Sequence, residues 1–124
     1  MAKAIVITPT TGSPEVIDAI NSVANQTMEV DHLLVCDGDQ FKDKVESIAA
    51  QYPNVKTCYL PYNTGANGYY GHRIMAAFSH LVDHDYILFL DQDNWYEPNH
   101  VETLVEEITK YKFEWSYSLR KIYD

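Results

Sequence analysis

Along this chain, short apolar runs give way repeatedly to a cluster of turn residues and then to apolar positions spaced as on a helix. Ala4 to Thr8 is the first run, closed by Pro9-Thr10-Thr11-Gly12. Ser13, Pro14 and Glu15 then form a helix start, with Ser13 as cap, Pro14 in the first position and an acid in the first turn. Val16, Ile17, Ile20, Val23 and Ala24 make one apolar stripe. The second unit is Leu33 to Cys36, the turn Asp37-Gly38-Asp39, and a helix marked by Phe41, Val45, Ile48, Ala49 and Tyr52 that Pro53 ends. The third is Val55 to Leu60, a glycine-rich loop from Pro61 to Gly68, and a stripe of Ile74, Met75, Phe78, Leu81 and Val82. In the fourth, Tyr86 to Leu90 leads to Asp91-Gln92-Asp93-Asn94, and Pro98 opens a helix carrying Val101, Leu104, Val105 and Ile108.

Strands that alternate with helices require parallel crossovers, and strands that are apolar throughout require a sheet covered on both faces. The expected fold is therefore an open, mostly parallel α/β sheet with helices on both faces. Phe113, Trp115, Tyr117 and Leu119 alternate with polar residues, which suits a half-buried edge strand over 113–122, with antiparallel pairing open to it. At 124 residues the chain has room for one domain.

Composition excludes several classes. Nine Lys+Arg against 18 Asp+Glu leave a net charge of −9, which argues against a duplex nucleic-acid binder. No apolar stretch is long enough for a transmembrane helix, and the amino terminus lacks a signal-peptide pattern. Cys36 and Cys58 lie inside apolar runs and read as buried, reduced thiols of a cytoplasmic protein.

Ligands of an open α/β sheet bind outside the carboxyl ends of its strands. The turns there bring Thr10 and Thr11, Asp37 and Asp39, Asn63 with Gly65 and Gly68, and Asp91 with Asp93 to one rim. Acids on one rim repel unless a cation sits among them, and oxygen ligands suit Mg²⁺ or Mn²⁺. If extended geometry persists past the strand, Asp91 and Asp93 project to one side and Gln92 to the other. Against this stands the ordinary turn preference of Asp and Asn, with Asp93 or Asn94 capping the next helix. His80 and His84 have the spacing of two metal ligands on a helix, but polar histidines also suit a helix end. Tyr59, Tyr62, Tyr69 and Tyr70 could stack on a base or simply anchor the loop. No Gly-Lys-Ser/Thr follows Gly65 or Gly68, so the loop is not a phosphate loop of that type.

Pro9 after an apolar strand, Asp37-Gly38 ending another, Asn63-Thr64-Gly65, and the run Tyr86 to Asp93 together resemble the family 2 glycosyltransferases. These are inverting enzymes of the GT-A fold that use nucleotide sugars. Ser22-Val23-Ala24-Asn25-Gln26-Thr27 resembles that family's first-helix ending. The resemblance implies strand order 3-2-1-4 and a single truncated GT-A-type nucleotide-sugar-binding domain over 1–124. It places Pro9 and Thr10 near the nucleobase, Thr11 at the nucleotide, and Asp37 on the base, with uracil expected. Asn63 and Gly65 would lie along the nucleotide, as would Arg73, for which His72 is the alternative. Asp91 would contact the ribose or the metal, Gln92 would also lie at the nucleotide, and Asp93 would bind Mn²⁺ or Mg²⁺. Thr10-Thr11-Gly12 departs from the family's aromatic-asparagine pair, Cys36 stands where many members carry a second acid, and no residue matches the general base.

The expected function is thus binding of a nucleotide-diphosphate sugar, with inverting transfer to an unidentified acceptor if a base element completes the site. A nucleotide-binding module without catalysis, or a fragment lacking the acceptor half, is the alternative. A phosphoryl receiver or phosphatase ranks below both, because the first strand ends without an acid. An under-covered sheet would make a homo-oligomer or a complementing chain the expected partner.

Overall fold

The computed structural model describes residues 2–118. Its strands are β1 (Ala4–Thr10), β2 (Val30–Asp37), β3 (Val55–Leu60) and β4 (Tyr86–Phe89). Its helices are α1 (Val16–Ala24), α2 (Lys42–Ala49), α3 (His72–Ser79) and α4 (His100–Tyr111). The strands form one parallel sheet in the order β3-β2-β1-β4, as expected. Central β1 is buried along its whole length, whereas edge strands β3 and β4 are only partly covered.

Period-two alternation divides the core between two faces. Val6 and Leu34 meet α1 through Ala19, Val23, Val16 and Ile20, and Ile48 of α2 adds to that layer. Ile7 and Val35 meet Ile74 and Phe78 of α3 on the other face. Because the helices begin where the strands end, their first turns share the carboxyl rim with the loops. That rim carries the site.

Several local expectations change. Ser13 does not cap α1 with its hydroxyl; its carbonyl accepts from the Val16 amide at 3.0 Å, and the helix proper begins at Val16. Pro98 lies in the turn before α4, and Asn99, not Asp93 or Asn94, flanks the first helical residue. α3 ends at Ser79, so His80 and His84 do not share a helix face; His84 Nε2 instead meets Asp31 Oδ2 at 2.8 Å.

The expected final strand does not form over residues 113–118, and its remainder lies outside the described residues. Lys112 adopts a left-handed conformation that ends α4 and turns the chain back. The segment then follows α4, with Ser116 Oγ donating to the Leu104 carbonyl at 3.3 Å and Ser118 Oγ 3.4 Å from His100 Nδ1. The alternation survives as same-side stacking of Trp115 on Tyr117, without a neighbouring ladder.

Candidate functional site

A groove of about 1540 Å³ opens along the carboxyl rim. Pro9, Thr10, Thr11, Asp37, Asn63, Gly65, Asp91, Gln92 and Asp93 all line it, so sequence-distant turns do converge. Arg73 is not among the lining residues; its guanidinium lies 3.6 Å from the Tyr69 ring centroid in a cation–π contact, while neighbouring His72 does line the groove. Of the tyrosines considered from sequence, Tyr70 lines the groove, Tyr59 lies under Lys42, and Tyr62 is exposed.

Asp37 ends β2 and is buried. Its Oδ1 accepts from the Thr64 amide at 2.6 Å and the Thr64 hydroxyl at 2.8 Å, and its Oδ2 accepts from the Gly65 amide at 3.0 Å. Charge-assisted bonds of this kind make Asp37 the anchor of the loop after β3. A Cβ on Gly65 would stand 2.4 Å from the Tyr70 carbonyl oxygen and 2.8 Å from Asp37 Oδ2. The close approach that requires glycine there is therefore to the protein's own loop. Gly71 is tight for a similar reason, since a Cβ would lie 2.7 Å from Pro9 Cγ.

Across the groove, residues 91–94 turn rather than remain extended, with the Asn94 amide donating to the Asp91 carbonyl at 3.1 Å. Asp91 and Asp93 are exposed, whereas Gln92 is half-buried and directed at the β1 loop. Its Oε1 accepts from the Thr10 hydroxyl at 2.8 Å and the Thr11 amide at 3.0 Å, and its Nε2 donates to the Thr11 hydroxyl at 3.2 Å.

The four rim acids do not form one cluster. Among the described residues no group of three or more His, Cys, Asp or Glu side chains is placed to hold a metal. Asp37 is occupied by the loop, and Asp39 does not line the groove. What remains are the carboxylates of Asp91 and Asp93, neither in an ion pair among the described residues. Two exposed carboxylates suit Mg²⁺ or Mn²⁺ when phosphate oxygens and water complete the coordination.

Sequence reasoning missed Tyr96 and His100, which also line the groove. Their rings stack at 4.0 Å between centroids. Burial pushes the Tyr96 phenol up, with the Asp91 charge adding to it, so the hydroxyl keeps its proton and donates to the Phe89 carbonyl. Burial lowers the His100 pKa, and its place at the start of α4 acts in the same direction, so a neutral imidazole faces the groove. The available signal was positional: the first residue after a strand–turn segment begins a helix on the rim, which His72 and His100 both do.

Gln26 positions this part of the site from the end of α1. Its Oε1 accepts from the Val101 amide at 3.0 Å, and its Nε2 donates to the carbonyls of Glu97 at 2.8 Å and Ser22 at 2.9 Å. The Thr27 amide donates to the Pro98 carbonyl at 2.9 Å. The Gln-Thr pair thus caps α4 and ties α1 to it.

The family model described as "Glycosyl transferase family 2" matches residues 5–122. No curated protein sequence is similar enough to count as a match. Among solved structures, S. aureus TarS is 23% identical with a TM-score of 0.67, over 89% of this chain and 20% of that one. TarS 1-349 of S. aureus in complex with UDP is 22% identical with a TM-score of 0.66, over 89% of this chain and 33% of that one. The mannosyltransferase PcManGT from Pyrobaculum calidifontis, in complex with GDP-Man and Mn²⁺, is 17% identical with a TM-score of 0.64, over 86% of this chain and 32% of that one. The likeness to these structures is one of fold, and the chain spans a fifth to a third of their length.

Proposed function

The chain belongs to glycosyl transferase family 2, and on that premise we propose that its carboxyl-rim groove binds a nucleotide-diphosphate sugar, with UDP-sugars the first class to test. Residues 1–124 act in this reading as one donor-binding domain of the GT-A type. The observation that carries it is the convergence of Pro9, Thr10, Thr11 and the Asp37-anchored loop with the acidic pair Asp91 and Asp93 on one groove. The first three line the nucleobase side, and the Asn63–Gly65 backbone follows the nucleotide. In this reading His72, which lines the groove, takes the role otherwise given to Arg73.

An acidic chain that takes an anionic diphosphate needs local charge reversal. Asp91 and Asp93 would hold Mn²⁺ or Mg²⁺, which when bound offsets the diphosphate charge and favours departure of the nucleotide. In the transfer step, an acceptor hydroxyl attacks the anomeric carbon opposite the breaking bond, and the configuration inverts. The nucleoside diphosphate leaves with the bonding electrons, and the hydroxyl proton passes to a base. In this reading that base and the acceptor contacts come from a complementing chain, a second copy of this chain, or further residues of a longer chain. A nucleotide-binding module without catalysis is the second reading.

The test is calorimetric titration of UDP, then GDP, with and without Mn²⁺, on the wild type and Asp93→Ala. Metal-dependent UDP binding that Asp93→Ala abolishes is the expected result, with Trp95 fluorescence as a parallel readout. No nucleotide binding under any condition overturns the reading. Metal-dependent binding without release of sugar from UDP-glucose or UDP-N-acetylglucosamine, with or without added acceptor saccharides, selects the non-catalytic module.

A further inference from the structure

We propose that Gln92, the middle residue of Asp91-Gln92-Asp93, is a positioning residue that sets the spacing between the nucleobase side and the diphosphate side of the groove without touching the nucleotide. The inference deepens the proposed function and rests on it.

All the polar capacity that Gln92 shows is turned toward the β1 loop. Its carbonyl oxygen accepts two bonds, from the Thr10 hydroxyl and the Thr11 amide, and its amide nitrogen reaches the Thr11 hydroxyl. These groups are 81 or 82 residues apart in sequence, so the contact is wholly tertiary. An Asp or Glu in the position could accept the first two bonds, but only an amide also donates to Thr11. The flanking Asp91 and Asp93 remain exposed in the groove.

Each of the two loops has its own local support. Thr10 ends β1, paired in register with Cys36, and its hydroxyl oxygen accepts from the Gly12 amide at 3.0 Å. On the other side, the Leu90 amide donates to the Ile7 carbonyl at 3.1 Å, and the Asp91–Asn94 turn closes on itself. Loss of Gln92 leaves both local shapes and removes the direct side-chain tie between them. A ligand confined to one side is insensitive to that loss, whereas one that spans both must then order the loops as it binds.

The experiment compares three probes on the wild type, Gln92→Ala and Gln92→Glu: uridine alone, inorganic pyrophosphate with Mn²⁺, and UDP with Mn²⁺. Calorimetry reads UDP, NMR titration reads the two weaker half-ligands, and a thermal melt confirms folding. For Gln92→Ala the expected result is an approximately tenfold loss of UDP affinity with both half-ligands unchanged. Gln92→Glu, which keeps the two acceptor contacts, restores most of the UDP affinity. If Gln92→Ala does not fold, Gln92→Leu, which keeps side-chain bulk without the polar atoms that meet Thr10 and Thr11, is expected to give the same pattern. A loss in uridine or pyrophosphate binding equal to the UDP loss makes Gln92 a direct ligand and overturns the inference. Unchanged UDP binding in Gln92→Ala overturns it as well. Failure of the wild type to bind UDP would instead sink the proposed function.

Discussion

Asp37 and Gly65 hold each other at the limit of close approach. The Gly65 amide donates to Asp37 Oδ2 at 3.0 Å, and a side chain on Gly65 would bring its Cβ to 2.8 Å from that same oxygen. A loop glycine that looks like an opening for a ligand is also the fit that lets a buried carboxylate reach the loop backbone.

Gly65→Ala therefore acts by steric displacement. The Gly65 backbone has φ −85°, which alanine accepts, but the Cβ meets the Tyr70 carbonyl at 2.4 Å. Overpacking of this kind costs about 1–3 kcal/mol. Gly68→Ala is the control: nothing lies within 4 Å of its Cβ, but φ is +86°. It is expected to lose about 1 kcal/mol through backbone strain alone. Urea denaturation measures both, and only Gly65→Ala should also weaken UDP binding.

Gln26→Ala removes the cap on α4 and two further bonds to backbone carbonyls. The expected destabilisation is about 1–3 kcal/mol, because the Val101 amide loses its partner. Since Glu97 and His100 lie just beyond this tie, Trp95 emission should shift as the segment loosens. Unchanged stability and emission would show that water replaces Gln26 without loss.

His32 provides a pH dependence with a definite sign. It is 1% exposed, its Nε2 lies 2.8 Å from Thr8 Oγ1, and burial lowers its pKa from 6.5 to about 4. Between those values the unfolded chain binds a proton that the folded chain does not. His32 therefore imposes no penalty above pH 6.5, costs stability progressively as pH falls toward 4, and adds nothing further below it. The full loss is about 3 kcal/mol, from roughly 1.4 kcal/mol per unit. Denaturant midpoints from pH 7 to pH 4 should fall in the wild type and fall less steeply in His32→Gln.

The aromatic segment after α4 is the proposed contact for self-association. Trp115 and Tyr117 are 70% and 72% exposed, and Tyr111 stacks with Phe113 beside them. Apolar surface left open in this way favours association. Light scattering should give a dimer or larger species, and Trp115→Ser with Tyr117→Ser should shift it toward monomer. A monomeric wild type at high concentration would count against the contact.

The sheet was legible because burial writes itself into composition: β1 is covered on both faces, so Ala4 to Ile7 is apolar without interruption. Helix stripes such as Val16, Ile20 and Val23 were legible for the same reason. The segment 113–118 misled because alternation records which residues share a side and not whether a neighbouring strand is present. Convergence of Asp37, Asp91 and Asp93 on one rim followed from parallel topology, since Asp37 ends β2 and Asp91 and Asp93 lie in the turn after β4 at the same end of the sheet.

The partners within that rim were another matter. Asp37 looked like a ligand-binding acid, and nothing local revealed that Thr64 and Gly65 would occupy its oxygens. Gln92 reads from the sequence as a nucleotide contact turned away from the acids on either side, yet its side chain is joined to Thr10 and Thr11. Strand, helix and turn identities rest on periodicities within a dozen neighbouring residues, which any one sequence displays. Hydrogen bonds between residues 27 or 82 positions apart depend on how strands are ordered and how loops settle after the core has packed, so only the folded chain decides them.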